Sequence, residues 1–156
     1  MTRRALLAFI AVLLLPSILG AFAPQARAGG SDPQIVLDEI YGQVDAMCGG
    51  DGQGAAYDIY AIAKTYFAPD LAKPFEKAME AGDLDFDILV DGQDCKISDL
   101  ELAVTESTDA SATGRATFKN MGEARVIDFL MTKTGAAWKV SDVVYRHRSF
   151  SLRSAL

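Results

Sequence analysis

The hydrophobic period of this chain changes once, near Asp83, and that change restricts the fold more than any other feature of the sequence. Before it, apolar residues recur at helical spacing: Val36, Ile40, Val44 and Met47, with Leu37 and Tyr41 widening the stripe. After it they alternate. Leu84, Phe86, Ile88 and Val90 interleave with Asp83, Asp85 and Asp87, and Leu100, Leu102 and Val104 continue the pattern beyond Asp91-Gly92. Helical spacing turns one stripe of a helix to a core, whereas alternation turns one face of a strand to it. Helices first, then strands returning through short turns, specify an α+β domain in which N-terminal helices pack on a curved antiparallel sheet.

Local punctuation sets the expected boundaries. Ser31 or Asp32 caps the first helix, Pro33 suits its first turn, and Ser31 with Gln34 has capping-box spacing. Gly49-Gly50 ends it. A second helix is predicted over 55–68, with Ile59, Tyr60, Ala63 and Phe67 on one face. A third starts at Pro69, uses Leu71, Phe75 and Met79, holds Pro74 in its first turn, and ends at Gly82. The strands begin at Asp83. Ser107 to Gly114 reads as turn-rich, Ala116 and Phe118 as strand, and Asn120-Met121-Gly122-Glu123 as a hairpin turn. Val126 to Met131 and Trp138 to Tyr145 are two more strands, separated by Thr134-Gly135-Ala136. The glycine-rich stretch Gly49 to Gly54 lacks the Lys, the Ser/Thr and the preceding strand of a phosphate cradle, so it reads as a turn.

The first 28 residues have the parts of an export signal. Arg3 and Arg4 begin it, Ala5 to Leu15 is an unbroken apolar run, Pro16 ends that run, and Ala26-Arg27-Ala28 offers a small-x-small cleavage site. Ala21-Phe22-Ala23 competes poorly because Pro24 would follow the cut. The apolar run is well short of the ~20 residues a spanning helix needs, so no membrane anchor is expected after cleavage. The general secretory route is favoured over the twin-arginine route, and the expected location is a bacterial periplasm. The leader holds three of the 15 basic residues and none of the 21 acidic ones, so the remaining 29–156, one domain, carry −9 rather than −6. That excess argues against nucleic acid as a partner. One histidine and two cysteines leave no ligand set for zinc, haem or an iron–sulfur cluster, and no metal or cofactor is assigned.

Several short pieces carry a resemblance in their order and spacing: Ile40-Tyr41, Thr65-Tyr66-Phe67-Ala68-Pro69-Asp70-Leu71, and Leu84-Asp85-Phe86-Asp87 with Gly92-Gln93-Asp94. Trp138-Lys139-Val140-Ser141-Asp142-Val143 and Ser151-Leu152-Arg153 complete the set. From about Val36 to Leu156 the chain resembles the bacterial family known as domain of unknown function 3828. The resemblance implies a cone related to nuclear transport factor 2 and the cystatins, and no assigned activity. Cone folds host isomerases, dehydratases and pure binding modules, so function must be argued from a site.

Candidate site residues come from six places. Asp83, Asp85, Asp87, Asp91 and Asp94 have calcium-loop spacing, but Ile88 stands where the sharp turn needs Gly and Asp94 where a bidentate Glu is usual. Alternation explains them instead as the wet face of a strand. Gln93 and Asp94 follow a turn at a sheet edge, where the acid either pins the loop through backbone N–H groups or serves a pocket rim as base or acceptor. Asp128 interrupts an apolar strand; facing inward, it would have a raised pKa through desolvation. Tyr60, Tyr66 and Trp138 are aromatic candidates for a pocket wall or for core. His147, within Arg146-His147-Arg148, and Arg153 read as a solvated basic tail. Cys48 and Cys95 suggest one disulfide in an exported chain, tying the helices to the start of the sheet, with two buried thiols as the alternative.

The preferred function is therefore a non-enzymatic module that binds a periplasmic protein or a small ligand. Two alternatives remain: an inhibitor or immunity protein against a cell-wall hydrolase, and a small-molecule isomerase or lyase of the cone fold. A deep cavity holding an inward Asp128 or Asp94 would favour ligand binding or catalysis, and a filled cone a protein partner.

Overall fold

A computed structural model describes residues 30–50 and 56–156 of the chain. The export signal with its cleavage after Ala28, most of the glycine-rich turn, and the expected start of the second helix at Ala55 lie outside the described residues. The element order is α1 (Pro33–Cys48), α2 (Ile59–Tyr66), α3 (Pro69–Ala81), β1 (Ile97–Ser107), β2 (Ser111–Asn120), β3 (Glu123–Thr134), β4 (Ala137–Tyr145), β5 (Phe150–Ser151) and α4 (Leu152–Ala155). Helices precede an antiparallel meander, so the chain is α+β, as the change of period requires.

Asp32 is the residue that caps α1, accepting the Gln34 N–H at 2.7 Å, with Pro33 next. The Ser31 capping box does not form, because the Gln34 side chain reaches outward to Asp38 and to the Val104 N–H of β1. Val36, Leu37, Ile40, Tyr41 and Val44 are fully buried on one face of α1. α2 is shorter than expected. Asp58 caps it through two N–H groups, and its buried face is Ile62, Ala63 and Tyr66. Tyr60 points away and is 42% exposed, which corrects its expected place on the inner face. α3 ends at Gly82, whose φ of 74° gives the left-handed cap that glycine adopts without strain. Pro74 lies in the second turn of α3, not the first; it is exposed, so water can reach the carbonyl four residues back.

The five strands pair in the order β1-β2-β3-β4-β5, each antiparallel to its neighbour. Met121 and Gly122, both at positive φ, make the expected two-residue β2–β3 hairpin, and Gly135 helps close β3–β4. β2 begins at Ser111, earlier than expected, because Thr108 alone organises a tight turn through its hydroxyl and its N–H to the Ser111 carbonyl. Register shifts in β1 and between Leu130 and Met131 bend the sheet, the second accommodated by the Ser141 hydroxyl donating to the Leu130 carbonyl. Ala116, Phe118, Ile127, Phe129, Met131, Val140, Val143 and Tyr145 line the inner face and pack with α1. Gly114 lets α1 come close: a Cβ there would stand 2.8 Å from the Met131 methyl and 3.4 Å from Leu37.

The expected strand at 83–90 is absent. Ile88, Leu89 and Val90 are buried in succession, which no half-buried strand allows, and the segment folds as a compact loop.

Candidate functional site

The 83–96 loop owes its shape to its aspartates. Asp87 accepts the Leu89 N–H at 2.8 Å, an Asx turn, while its own carbonyl receives the Asp91 N–H at 2.9 Å and its N–H meets the Gly92 carbonyl. Short acidic side chains compete here with a strand ladder and win. The turn drives Ile88-Leu89-Val90 into the core, where the otherwise stranded carbonyls find donors. Tyr41 donates to Leu89 and Tyr145 to Ile88, each at 3.0 Å. Burial, reinforced by nearby negative charge from Asp87, pushes both phenols well above their ordinary pKa, so they remain donors. Asn120 serves three groups at once, donating to Val90 and Asp94 carbonyls and accepting the Lys96 N–H.

Two further ties hold the loop. Cys48 and Cys95 form a disulfide with Cα atoms 5.3 Å apart, joining the end of α1 to the loop. Asp91, almost wholly buried and at φ 52°, is met by the His147 Nε2 at 2.5 Å, by Arg125 at 3.5 Å and by Arg148. Burial lowers the His147 pKa, the Arg125 charge lowers it further, and Glu123 opposes the change. The Arg148 guanidinium also lies over Phe86, 4.7 Å from its centroid, with Tyr145 and Phe150 rings at 5.3 and 5.6 Å. The basic C-terminal segment is therefore not a solvated tail. Arg146 and Arg148 engage the two buried aspartates, and Arg153 bridges to Asp70 at 3.0 Å and to the Ser141 carbonyl. Their partners lie far away in sequence, so charge pattern alone could not reveal them.

Beneath this loop, against α2 and α3, lies a cavity of about 350 Å3. Ile59, Phe75, Met79, Leu84, Phe86 and Ile88 form its apolar walls, and Asp85, Asp87 and Gln93 supply its polar edge. Tyr57 donates a short hydrogen bond to Asp87, and its phenol is pushed up by burial first and by the Asp87 charge and hydrogen bond second. Gln93 is fixed by donating from Nε2 to the Asp85 carbonyl at 3.2 Å.

Of the residues singled out from sequence, Gln93 lines this cavity; Asp94, Asp128, Tyr60 and Trp138 do not. Asp94 is exposed, and among the described residues its side chain has no hydrogen-bond partner; pinning of the loop falls to Asp87, Asp91 and Asn120. Trp138 is core, 5% exposed, and its backbone N–H donates to the Gly30 carbonyl. Asp128 sits on the opposite face of β3 from Ile127 and Phe129, directly across from Arg115. Its side chain is nevertheless fully enclosed, because Arg115 grips both oxygens at 2.7 and 2.9 Å and Arg146 closes over at 2.5 Å. Burial pushes its pKa up, but the two guanidinium groups outweigh that and hold it below the usual carboxylate range. The rise expected of an inward-facing Asp128 therefore does not occur. Sequence reasoning missed Phe75, Met79 and Phe86 as site residues, and Tyr57, which stands behind the wall on Asp87. Asp85 and Asp87 stood out there only through calcium-loop spacing; Asp87 turns out to hold the Tyr57 hydroxyl and the Leu89 N–H, and Asp91 faces cations.

No family model matches the chain, and no curated protein matches it in sequence. One solved structure is similar: a phospholipid-binding protein from Ralstonia solanacearum in complex with a phospholipid, 17% identical over 77% of this chain and 76% of that one, with a TM-score of 0.37. A likeness this slight does not carry a ligand from one protein to the other.

Proposed function

We propose that this chain is an exported, non-catalytic binding module that holds a small, mostly apolar ligand between α2, α3 and the 83–96 loop. The observation that carries the reading is the cavity itself: about 350 Å3, six apolar side chains around it, and three polar residues at one edge. That size and composition belong to small-molecule sites. The concave face of the sheet is filled by α1, and the recess with the most apolar side chains in its wall lies beside it. Export is supported by the sequence of residues 1–28 and by the Cys48–Cys95 bridge, since disulfides persist in oxidising compartments. Membership of the domain of unknown function 3828 family, with its nuclear transport factor 2-like cone, belongs to the same proposal.

Two further considerations favour binding a small molecule. Asp128, the inward carboxylate on which the isomerase or lyase alternative rested, lies on the other face of the sheet, paired with two arginines and away from the cavity. A protein-docking surface favours a contiguous apolar patch, whereas among the described residues the exposed large apolar side chains, Ile35, Tyr60, Met121 and Leu156, lie on α1, α2, the β2–β3 turn and the C-terminus.

The test is a titration with the neutral fluorophore N-phenyl-1-naphthylamine. Saturable enhancement at one site is expected. Met79→Trp, which fills the cavity, weakens binding about tenfold or more, roughly the loss of one buried contact set. Met121→Trp, on the exposed hairpin, leaves it unchanged. A folded Met79→Trp protein that binds as well as wild type would overturn the assignment.

A further inference from the structure

We infer that the cavity selects an organic cation: an ammonium-bearing amphiphile with its head at the Asp85–Asp87 edge and its chain along Ile59, Phe75 and Met79. The inference rests on the cavity being a ligand site and goes on to name the ligand's chemistry. The polar members of the wall are two carboxylates and one carboxamide, with no Lys, Arg or His among the lining residues. Asp87 already accepts from Tyr57 and Leu89, and Gln93 has committed an amide hydrogen to the main chain of Asp85. The Asp85 carboxylate is exposed at the rim and, among the described residues, accepts no hydrogen bond. A ligand arriving there meets acceptors and negative charge, which attract a cation and repel an anion.

An independent observation concerns Phe86. This ring lines the cavity and also carries a cation, the Arg148 guanidinium 4.7 Å from its centroid. The Arg148 charge is met in part by Asp91, which it shares with Arg125. The part-buried Phe86 ring offers aromatic surface of the kind that ammonium groups favour. The net charge of −9 beyond the leader steers such ligands inward.

The experiment displaces bound N-phenyl-1-naphthylamine with decyltrimethylammonium, decyl sulfate and decyl maltoside, all below micelle formation. The cation is expected to displace the probe at about a tenfold lower concentration than either other amphiphile, with the gap shrinking at high salt. Asp85→Asn narrows the preference and Asp85→Lys reverses it; Asp85 is exposed, so thermal melting should leave both variants folded. Equal potency of the three, or a preference for the sulfate, overturns cation selection while leaving the cavity as a ligand site. A preference that survives Asp85→Lys intact overturns it too. Failure of the naphthylamine to bind at all overturns both readings.

Discussion

Asn120→Ala removes one side chain and three hydrogen bonds from the joint between the sheet and the loop that frames the cavity. The Val90 carbonyl is buried and loses its carboxamide donor at 3.2 Å; an orphaned buried acceptor costs about 1–3 kcal/mol. The Lys96 N–H and the Asp94 carbonyl are part-buried, at 2.9 and 3.0 Å, and water can recover some of each bond, leaving about 0.5–1 kcal/mol apiece. The expected loss is about 3 kcal/mol, large against the marginal stability of a domain this size. Asn120→Asp keeps the acceptor for Lys96 but turns a carboxylate on two carbonyls, so it should be no more stable than the alanine variant. Urea unfolding followed by fluorescence of Trp138, the one tryptophan and a buried one, measures both. The naphthylamine probe should bind more weakly to Asn120→Ala, because Gln93 sits on the released segment. A loss below about 1 kcal/mol at unchanged m-value would refute the account of how the loop is held.

Three other perturbations follow from the same geometry. Removing the bridge in C48A/C95A, a link spanning 47 residues, should cost about 4 kcal/mol in the chain-entropy model, read by urea unfolding; thiol counting without reductant should find no free cysteine in the native chain. Asp128→Asn should cost about 2 kcal/mol at pH 7, discounted because both arginines are part-exposed. Since the folded pKa of Asp128 is depressed, its stabilisation is present above the unfolded value near 3.8 and lost as pH falls through the folded one. Unfolding midpoints of wild type and variant should therefore converge as pH drops below the unfolded value, and a constant gap would contradict the ion-pair assignment. Gly114→Val should cost about 2–3 kcal/mol by crowding Met131 and Leu37, measured by thermal melting.

Local signals were legible in the sequence wherever one residue decides one feature. Asp32 with Pro33 marks the start of α1, Gly82 the end of α3, and Met121-Gly122 the hairpin, because capping and turn chemistry act over two or three residues. The disulfide pair was legible because the chain holds two cysteines. The loop at 83–96 misled because apolar residues alternating with aspartates imitate a strand. The consecutive Ile88-Leu89-Val90 was the contrary signal, together with acids that prefer to bond their own backbone. The ambiguity at Asp128 had a different origin. Alternation separated it from Ile127 and Phe129 correctly, but its burial comes from Arg115 and Arg146, whose approach depends on strand register and the C-terminal turn. The site was the least legible part. Gln93 stood out through its neighbours, while Phe75, Met79 and Phe86 meet only because α3 and the loop are brought together by the rest of the fold.

The most direct test of the account is a methyl-resolved NMR titration of residues 29–156 with N-phenyl-1-naphthylamine. Shift changes should concentrate on the methyl groups of Ile59, Met79, Leu84 and Ile88, and leave those of Val104, Thr117 and Val126 on the sheet in place. Saturable changes centred on the sheet, with the four cavity residues unmoved, would contradict it.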